Sequence, residues 1–215
     1  PTADEMITQK INLWVMKNST DPTGAYLTEA IKARRSMQDF MANWSAVKQE
    51  IISNKALNEP ISGDPFFPEE ITNDGKWFKT YIHWYGKWYS DSHRFPILCS
   101  LVRKHPDIKL AMVSVLKPKA VILPHYGPWA GGIRVHIGVS TPNSNDCYID
   151  IEGHRYSWRD DELVAFSDIY EHQVKNNTDT PRVILFMDLE RTMKSKFSQF
   201  VVRLINQTLA KWNRA

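Results

Sequence analysis

Hydrophobic positions recur at helical spacing at both ends of the chain. Up to about residue 57, large apolar side chains from Leu27 to Ile51 repeat with a period near 3.6 residues. A shorter apolar patch at 11–16 predicts another helix, with the stub of a lost membrane anchor as the alternative. The tail from Phe197 to Trp212 returns to the same spacing. We therefore expect helices before and after the central region.

The central region has a different pattern, in which short apolar runs alternate with turn signals rich in Pro, Gly, Asn and Asp. The runs are 77–84, 111–116, 120–123, 133–139, 147–151, 162–166 and 183–188. One helix interrupts them, from Phe95 to Lys104. Residues 58–76 are rich in Pro, Asn, Gly and acidic residues and predict a surface loop. Many short strands at this spacing are typical of a β-sandwich or barrel.

These patterns divide the chain into three segments. We expect an N-terminal helical region and loop packed on the core over 1–75, a β core over 76–192 and a C-terminal helix over 193–215. The length of 215 residues, with 42% hydrophobic and 24% charged residues, suits one globular domain. No stretch approaches the roughly 20 apolar residues of a membrane span. Because the chain begins with Pro1, membrane contact through a removed N-terminal anchor stays open, as does the compartment.

Charge and cysteine content exclude several classes of protein. The net charge of +3 is slight and there is no long basic stripe, so we expect no nucleic-acid partner. The two cysteines, Cys99 and Cys147, are too few for a disulfide scaffold or a cysteine-rich metal site. Function must therefore be sought in other side chains.

Histidine and arginine supply the most informative chemistry. His125 and His136 lie in one short run, His172 follows on a later segment, and Arg182 comes ten residues after it. Imidazoles are good iron ligands, and an arginine can bind a carboxylate through two hydrogen bonds. The pattern predicts a mononuclear iron site with an organic acid bound beside it. Histidines without any metal are the alternative.

The predicted strand that contains His136 also contains a charged residue, Arg134, on the same face. Arg134 and His136 alternate with Ile133 and Val135, so both point to one side of the strand. A buried guanidinium needs an anion, and Arg182 on a later strand adds a second one. A bound dicarboxylate would satisfy them; salt bridges to Asp or Glu are the alternative.

Three further polar residues belong to this region. The hydroxyl of Ser114 would complete a carboxylate site, although alone it carries little information. Asp168 and Glu171 precede His172 and would orient an imidazole, compete as ligands or solvate a loop. The usual iron triad has two histidines and one carboxylate, but the position two residues after His125 is Gly127, which cannot bind metal.

Four blocks carry a resemblance to a known family: 123–128, 133–138, 156–160 and 182–188. Together and in this order, they resemble the aspartyl/asparaginyl β-hydroxylases, which are non-haem iron(II) and 2-oxoglutarate-dependent dioxygenases. The resemblance covers roughly 76–192. It implies a mainly β fold with flanking α-helices, the double-stranded β-helix or jelly roll, similar to the cupins.

The resemblance also assigns roles to residues. It implies that iron(II) is bound by His125 and His172. It implies that 2-oxoglutarate, the cosubstrate consumed with O2, is bound by four other residues, which are Ser114, Arg134, His136 and Arg182. Ascorbate is expected to help activity. The implied reaction is hydroxylation of a C–H bond with only two histidines on the iron.

The branch within the family is left open by the sequence. The animal peptidyl-aspartate hydroxylases resemble this chain in having His-x-Gly and two protein ligands, whereas the bacterial lipid A hydroxylases keep His-x-Asp. Three other segments are closer to the bacterial branch, namely 84–87, 128–132 and 156–160. In the peptidyl-aspartate enzymes an arginine two residues before the Arg134 position helps to hold the substrate carboxylate, and here that residue is Gly132.

The substrate is therefore expected to be a peptide, an amino acid or an acyl chain, as in lipid A hydroxylation. A small residue at position 127 also leaves room for chloride, so halogenation is an alternative reaction. A binding module with a degenerate metal site is the alternative outside enzymology. Two inward arginines argue against it, since an inactive site has no need of them.

Overall fold

The computed structural model describes residues 3–54 and 75–212, so the loop predicted at 58–76 falls almost wholly outside the described residues. The helices are α1 (Ala3–Lys17), α2 (Thr28–Lys32), α3 (Arg35–Ala42), α4 (Trp44–Ile52), α5 (Pro96–Lys104) and α6 (Lys196–Trp212). The strands are β1 (Trp77–Trp84), β2 (Lys87–Trp88), β3 (Ile108–Leu116), β4 (Val121–His125), β5 (Gly132–Ser140), β6 (Cys147–Ile151), β7 (His154–Ser157), β8 (Leu163–Phe166), β9 (His172–Asn176) and β10 (Arg182–Glu190). A short 3₁₀ helix over Ser90–Arg94 precedes α5.

The strands form two antiparallel sheets. One sheet has six strands in the order β2-β1-β3-β10-β5-β8, and the other has four in the order β4-β9-β6-β7. Buried side chains from both sheets form one hydrophobic cluster between them, which includes Met112, Phe186, Ile149 and Val174. The predicted fold class is confirmed: the protein is mainly β, with the two-sheet arrangement of a jelly roll and flanking helices.

The six-stranded sheet is buried on both faces, and this explains why its strands are almost continuously apolar. On β10, Phe186 faces the second sheet, whereas Leu185 and Met187 belong to the cluster on the helix side. On β5, Val135 and Ile137 pack toward the helices. Successive side chains alternate across a strand, so the residues between them face the space between the sheets. Each large side chain buried in this way contributes roughly 1.5–3 kcal/mol.

Helices α2 to α5 cover the outer face of the six-stranded sheet through Phe40, Trp44 and other apolar residues. The start of α5 is capped from a neighbouring helix, because the Glu50 carboxylate of α4 accepts hydrogen bonds from the backbone N–H groups of Ile97 and Leu98, at 2.8 and 3.0 Å. A carboxylate at a helix N-terminus also interacts favourably with the helix dipole. The helix predicted from Phe95 to Lys104 is therefore present and tied to the N-terminal helices.

Helices α1 and α6 lie elsewhere, against the loop that follows β4. Val15 of α1 and Val202 of α6 share a small buried cluster with Ala130 and Met193. Within the described ranges, no helix combines the length and the apolar character needed to cross a bilayer. The division into segments 1–75, 76–192 and 193–215 stays a prediction, although α2–α4 and the six-stranded sheet share one hydrophobic cluster.

Candidate functional site

His125 and His172 face each other across a pair of neighbouring strands. His125 ends β4, His172 begins β9, and the two residues are partners in the antiparallel register. Their imidazole ring centroids lie 4.2 Å apart. A register irregularity between Ile122 and His125 shifts the end of β4 relative to β9. The sequence-predicted ligands are thus brought together by local strand pairing.

Both imidazoles are oriented in the same way. The Nδ1 atom of His125 lies 2.8 Å from the carbonyl oxygen of Leu123, and Nδ1 of His172 lies 2.8 Å from that of Tyr170. A carbonyl only accepts hydrogen bonds, so each Nδ1 carries the proton and each Nε2 keeps a free lone pair. This is the usual arrangement of metal-binding histidines, in which a partner of the other nitrogen sets the tautomer.

Both imidazoles are held neutral. Burial, followed by the nearby His125, lowers the pKa of His172 to about 3. Burial also lowers the pKa of His125, against the opposing effect of the Leu123 carbonyl. Metals bind the neutral ring, so the environment favours the binding-competent form.

The place of the absent carboxylate ligand is taken by a carboxylate from another segment. A Cβ atom added to Gly127 would overlap the carboxyl group of Asp168, and the backbone N–H of Gly127 donates to the carbonyl of Asp168 at 2.6 Å. The side chain of Asp168 is 7% exposed. Across residues 3–54 and 75–212, no three His, Cys, Asp or Glu side chains are grouped as a complete metal site. The site thus offers two imidazoles, with a carboxylate close to the first.

Arg134 is paired with carboxylates. Its Nη2 lies 2.8 Å from Asp168 and its Nε lies 2.6 Å from Asp188, which is opposite it on β10. Burial acts to lower the pKa of Arg134, but these two carboxylates outweigh it and raise the pKa. The salt bridges considered as the alternative for this residue are therefore present. Its assignment to 2-oxoglutarate stays a prediction.

Arg182 has a different environment, because no carboxylate in the described part of the chain pairs with it. The side chain is 1% exposed, donates to the hydroxyl of Ser114 at 3.1 Å and lies 4.4 Å from the ring of Trp158. Its Nε has no hydrogen-bond partner among residues 3–54 and 75–212. Burial lowers the pKa of Arg182 to about 10. A buried cation without a counter-ion is costly, and a bound anion would remove that cost.

His136 also lines the cavity with unpartnered polar atoms in the described part of the chain. Neither ring nitrogen has a hydrogen-bond partner among the described residues. Phe166 and Phe186 lie within 5.0 Å of the ring, centroid to centroid. Burial and then the charge of Arg182 lower the pKa of His136 well below its usual value. A neutral imidazole with two unsatisfied nitrogens is therefore held next to Arg182.

All six predicted site residues line one cavity between the sheets. The cavity is bounded by Trp77, Ser114, Ile122, His125, Arg134, His136, Ile149, Phe166, His172, Val174, Arg182 and Phe186. The histidine pair comes from the four-stranded sheet, and the residues predicted to bind 2-oxoglutarate come from the six-stranded sheet. Their convergence gives a site with two metal-type donors at one end and a buried cation at the other.

Sequence reasoning missed several contributors. Trp77 donates its indole N–H to Ser114 at 2.8 Å, so the hydroxyl that also accepts from Arg182 is fixed from two sides. Asp188 balances Arg134 from the neighbouring strand. The available signal was the alternation on β10, which places Asp188 on the same face as Phe186.

The space beside Gly132 is occupied by the side chain of Tyr85. A Cβ atom added at Gly132 would lie 3.2 Å from the hydroxyl of Tyr85 and 3.8 Å from the Asp188 side chain. Tyr85 is buried and donates to Asp188 at 3.4 Å. A long side chain at position 132 would meet this hydroxyl. Position 132 therefore has little room for an arginine, which is the residue that the peptidyl-aspartate hydroxylases have there.

Solved structures with similar chains are cupin-type proteins at low identity. A DMSP lyase from Ruegeria pomeroyi is 12% identical, with a TM-score of 0.40 over 83% of this chain and 71% of that one. A cupin 2 conserved barrel domain protein from Salinispora arenicola is 12% identical, with a TM-score of 0.37 over 67% and 97%.

Curated relatives are hydroxylases or contain hydroxylase domains. The ornithine lipid ester-linked acyl 2-hydroxylase of Rhizobium tropici is 32% identical over 127 residues, which cover 58% of this chain and 45% of that protein. The human aspartate beta-hydroxylase domain-containing protein 2 is 37% identical over 82 residues, or 37% and 22%. The human aspartyl/asparaginyl beta-hydroxylase is 24% identical over 155 residues, or 68% and 20%. The chain thus spans less than half the length of each.

A family model decides the assignment. The model described as aspartyl/asparaginyl beta-hydroxylase matches residues 41–192, well over half of the chain. The matched range contains both histidines of the pair, the buried Arg182 and the cavity between the sheets. The chain belongs to the aspartyl/asparaginyl beta-hydroxylase family.

Proposed function

We propose that this protein is an iron(II)- and 2-oxoglutarate-dependent dioxygenase that hydroxylates a C–H bond of a lipid acyl chain. The observation that carries the proposal is the shared cavity of the His125–His172 pair and the anion-free Arg182. One end suits a metal and the other suits a carboxylate. A cosubstrate that chelates the metal through one end and carries a carboxylate at the other end would fit both.

The histidine pair fits a ferrous ion. Two neutral imidazoles with free Nε2 atoms would bind it, and their Nδ1 bonds to backbone carbonyls keep both rings oriented. Asp168 supplies negative charge on the side where Gly127 has no side chain, and its ion pair with Arg134 holds it there. Within the described residues the protein would hold the ion through these two histidines, which leaves room for the cosubstrate to chelate it.

The opposite end fits 2-oxoglutarate. Arg182 and the hydroxyl of Ser114 would bind its distal carboxylate, and the Trp158 ring shields that ion pair from water. His136 would donate a hydrogen bond to the cosubstrate from the wall between the two ends. Arg182 would thereby gain a counter-ion, and one of the two ring nitrogens of His136 would gain a hydrogen-bond partner.

When bound, iron(II) and 2-oxoglutarate supply the reaction in which O2 converts a C–H bond to C–OH and the cosubstrate to succinate and carbon dioxide. The protein contributes position and polarity. The aromatic rings of Phe166 and Phe186 keep the cavity apolar and exclude bulk water. Arg134, neutralised by Asp168 and Asp188, adds no net positive charge beside the metal ligands.

Two observations support an acyl chain rather than an acidic peptide as the substrate. Gly132 provides no cation for a substrate carboxylate, and Tyr85 limits the room for one. The Rhizobium tropici relative, which is 32% identical where the human aspartyl/asparaginyl beta-hydroxylase is 24% identical, is named as an acyl hydroxylase. An apolar substrate also suits an entrance that has Leu123 and Tyr126 exposed beside His125.

A turnover assay tests the proposal. Purified protein is given iron(II), ascorbate, 2-oxoglutarate and air, with an amino-acid lipid bearing an ester-linked acyl chain as one substrate and an aspartyl peptide as the other. We expect succinate together with a lipid product carrying one added oxygen atom, and neither with His125→Ala. Absence of succinate with both substrates, or product from the peptide alone, would contradict the proposal.

Product analysis and metal analysis separate the alternatives. A chlorinated product in chloride buffer would indicate halogenation instead of hydroxylation. A protein that retains no iron, as measured by metal analysis against His125→Ala, would indicate a binding module.

A further inference from the structure

The exposed large hydrophobic side chains are unevenly distributed. Within the described residues, all of them except Ile52 and Ile97 lie on α1, on α6 or beside His125. We call this set the apolar face; it consists of Met6, Ile7, Ile11, Leu13, Leu123, Tyr126, Phe197, Phe200 and Leu204. Contiguous exposed apolar surface on a soluble chain usually marks an interaction site.

The segments of the apolar face are joined through the loop that follows His125, one of the residues that line the cavity. The Asn12 side chain of α1 donates to the carbonyl of Pro128 at 3.0 Å and accepts from the N–H of Ala130 at 2.9 Å. Between them, Trp129 donates to Asn206 of α6 at 2.8 Å. Both helices are therefore fixed to the loop that begins just after His125, and their outer sides flank that loop.

The outer side of α6 is a stripe at helical spacing. Phe197, Phe200 and Leu204 are 72%, 62% and 50% exposed, and their spacing of three and four residues places them on one side of the helix. The opposite side carries the buried Val202 and Asn206. The inner side alone accounts for folding, so the outer stripe has no structural role in the described part of the chain.

Helix α6 is basic beside its apolar stripe: in sequence it contains Lys196, Arg203 and Lys211 and no acidic residue, and Arg203 pairs with Glu190. In sequence, α1 has two acidic residues at its start and two lysines after them. Of these, Lys10 lies near Met6 and Leu13 on the outer side, because residues three and four apart share a helical face. Among the described residues, neither Lys10 nor Lys196 forms an ion pair. Lysine and arginine beside exposed apolar side chains are typical of helices that lie in the headgroup region of anionic membranes.

We propose that the apolar face docks this protein on the surface of an anionic lipid bilayer, with the entrance to the His125 cavity turned toward the membrane. The inference deepens the proposed function, on which its choice of an acyl substrate rests. Phe197, Phe200 and Leu204 enter the boundary between headgroups and acyl chains, while Lys10 and Lys196 contact lipid phosphates. An acyl chain then reaches the cavity without crossing water.

Charge decides against a second copy of the chain as the occupant. A symmetric dimer through α6 would place the same basic side chains of two copies near one another, and like charges repel. An anionic bilayer provides the charge opposite to that of the basic side chains of α6. We therefore expect the lipid surface to be preferred.

Vesicle flotation tests the inference. We expect the protein to float with vesicles of phosphatidylglycerol and phosphatidylcholine, to bind them less at high salt, and to bind pure phosphatidylcholine weakly. The triple variant Phe197→Ser, Phe200→Ser, Leu204→Ser should lose at least about tenfold in affinity, the equivalent of about 1.4 kcal/mol. The matched control is Ile52→Ser with Ile97→Ser, whose residues lie on α4 and α5, and its binding should be unchanged.

Several outcomes would overturn the inference. These are no binding to anionic vesicles, equal binding by the triple variant while circular dichroism shows both to be folded, or a dimer in light scattering that the triple variant dissociates. Failure of the proposed function looks different, because vesicle binding would persist without succinate formation. If both hold, the triple variant should keep turnover of a short-chain, water-soluble acyl substrate and lose turnover of vesicle-embedded lipid.

Discussion

At the scale of single residues, the central fact is that two buried arginines in one cavity have opposite electrostatic situations. Arg134 is balanced by Asp168 and Asp188, whereas within the described residues Arg182 contacts the Ser114 hydroxyl and an aromatic ring but no carboxylate. A buried cation that is already paired with carboxylates belongs to the folded structure. A buried cation without a counter-ion is costly, so an anion that binds it gains favourable free energy. We therefore propose that carboxylate recognition depends chiefly on Arg182.

Replacement of Arg182 should separate binding from stability. We expect Arg182→Met to lower the affinity for 2-oxoglutarate roughly ten- to hundredfold, because charge-assisted hydrogen bonds contribute about 1.5–3 kcal/mol. The ligand-free variant should be at least as stable as the wild type, since a buried unpaired charge is removed. Calorimetry and urea unfolding measure the two effects. Arg155→Met, at an exposed arginine of β7, is the control, and a loss of stability without a loss of affinity would contradict the assignment.

We predict that Gly127 cannot be replaced by a larger residue, because the side chain of Asp168 occupies the adjacent space. A side chain there would overlap the Asp168 carboxyl group, which Arg134 holds in place. We expect Gly127→Asp to lose activity and to be destabilised by roughly 1–3 kcal/mol through overpacking and charge repulsion. Adding Asp168→Ala should restore much of the stability. A fully stable Gly127→Asp single variant in thermal unfolding would show that the overlap is easily relieved.

The buried histidines predict sensitivity to acid. The folded-state pKa of His172 is about 3, below its ordinary value of 6.5, so the unfolded state binds a proton first as the pH falls. Stability should therefore be unaffected by this group above pH 6.5 and should fall progressively between 6.5 and about 3. In His172→Gln the slope of unfolding free energy against pH should drop by up to about one proton in that window. An unchanged slope in urea titrations at several pH values would count against a buried neutral ring.

The sequence identified the residue types of the site better than their partners. The alternation on β5 predicted that Arg134 and His136 share a face, and both line the cavity. The carboxylates that pair with Arg134 come from a loop and from a neighbouring strand, so their proximity depends on the sheet order. Periodicity along one segment carries no such information.

At the scale of elements, strand β9 positions His172, one of the two histidines proposed to bind the metal. It pairs with β4 through His172 and with β6 on its other side, and it ends at Asn176. The buried amide of Asn176 donates to the carbonyls of Leu116, Lys117 and Thr180 at 2.9–3.3 Å. One side chain thus joins the end of β9 to the end of β3 in the other sheet.

Truncation of this amide should destabilise the fold and loosen the histidine pair. We expect Asn176→Ala to cost roughly 1–3 kcal/mol for the buried carbonyls left unsatisfied, and to weaken metal affinity as well. The neighbouring exposed Asn177→Ala should change stability by less than about 0.5 kcal/mol. Urea unfolding and a metal titration measure these changes. Equal stability of the two variants would mean that the amide network is unimportant.

The strands that periodicity predicted are the apolar ones. The runs at 77–84, 111–116 and 133–139 correspond to β1, β3 and β5, which are buried on both faces. The hydrophobic pattern did not predict strand β7, because its residues are polar and partly exposed. Strand β9 alternates buried and half-buried positions, but two of its buried residues are His172 and Asn176, which hydrophobicity does not detect.

At the scale of the whole molecule, the fold divides the site between two sheets. The histidine pair belongs to the four-stranded sheet, and Ser114, His136 and Arg182 belong to the six-stranded sheet. A molecule that chelates the metal at one end and binds Arg182 at the other would therefore connect the sheets across the core. Helices α1 and α6 are both bonded to the loop that follows His125, so in the proposed docking the membrane face would bring the cavity close to lipid.

The most direct test of this account is an anaerobic titration with iron(II) and 2-oxoglutarate, followed by the metal-to-ligand charge-transfer band of the chelate. We predict a saturable band in the wild type at one iron per chain, no band in His125→Ala or His172→Ala, and a band requiring roughly ten- to hundredfold more 2-oxoglutarate in Arg182→Met. A wild-type protein that gives no band, or a band unaffected by loss of either histidine, would contradict the central claim.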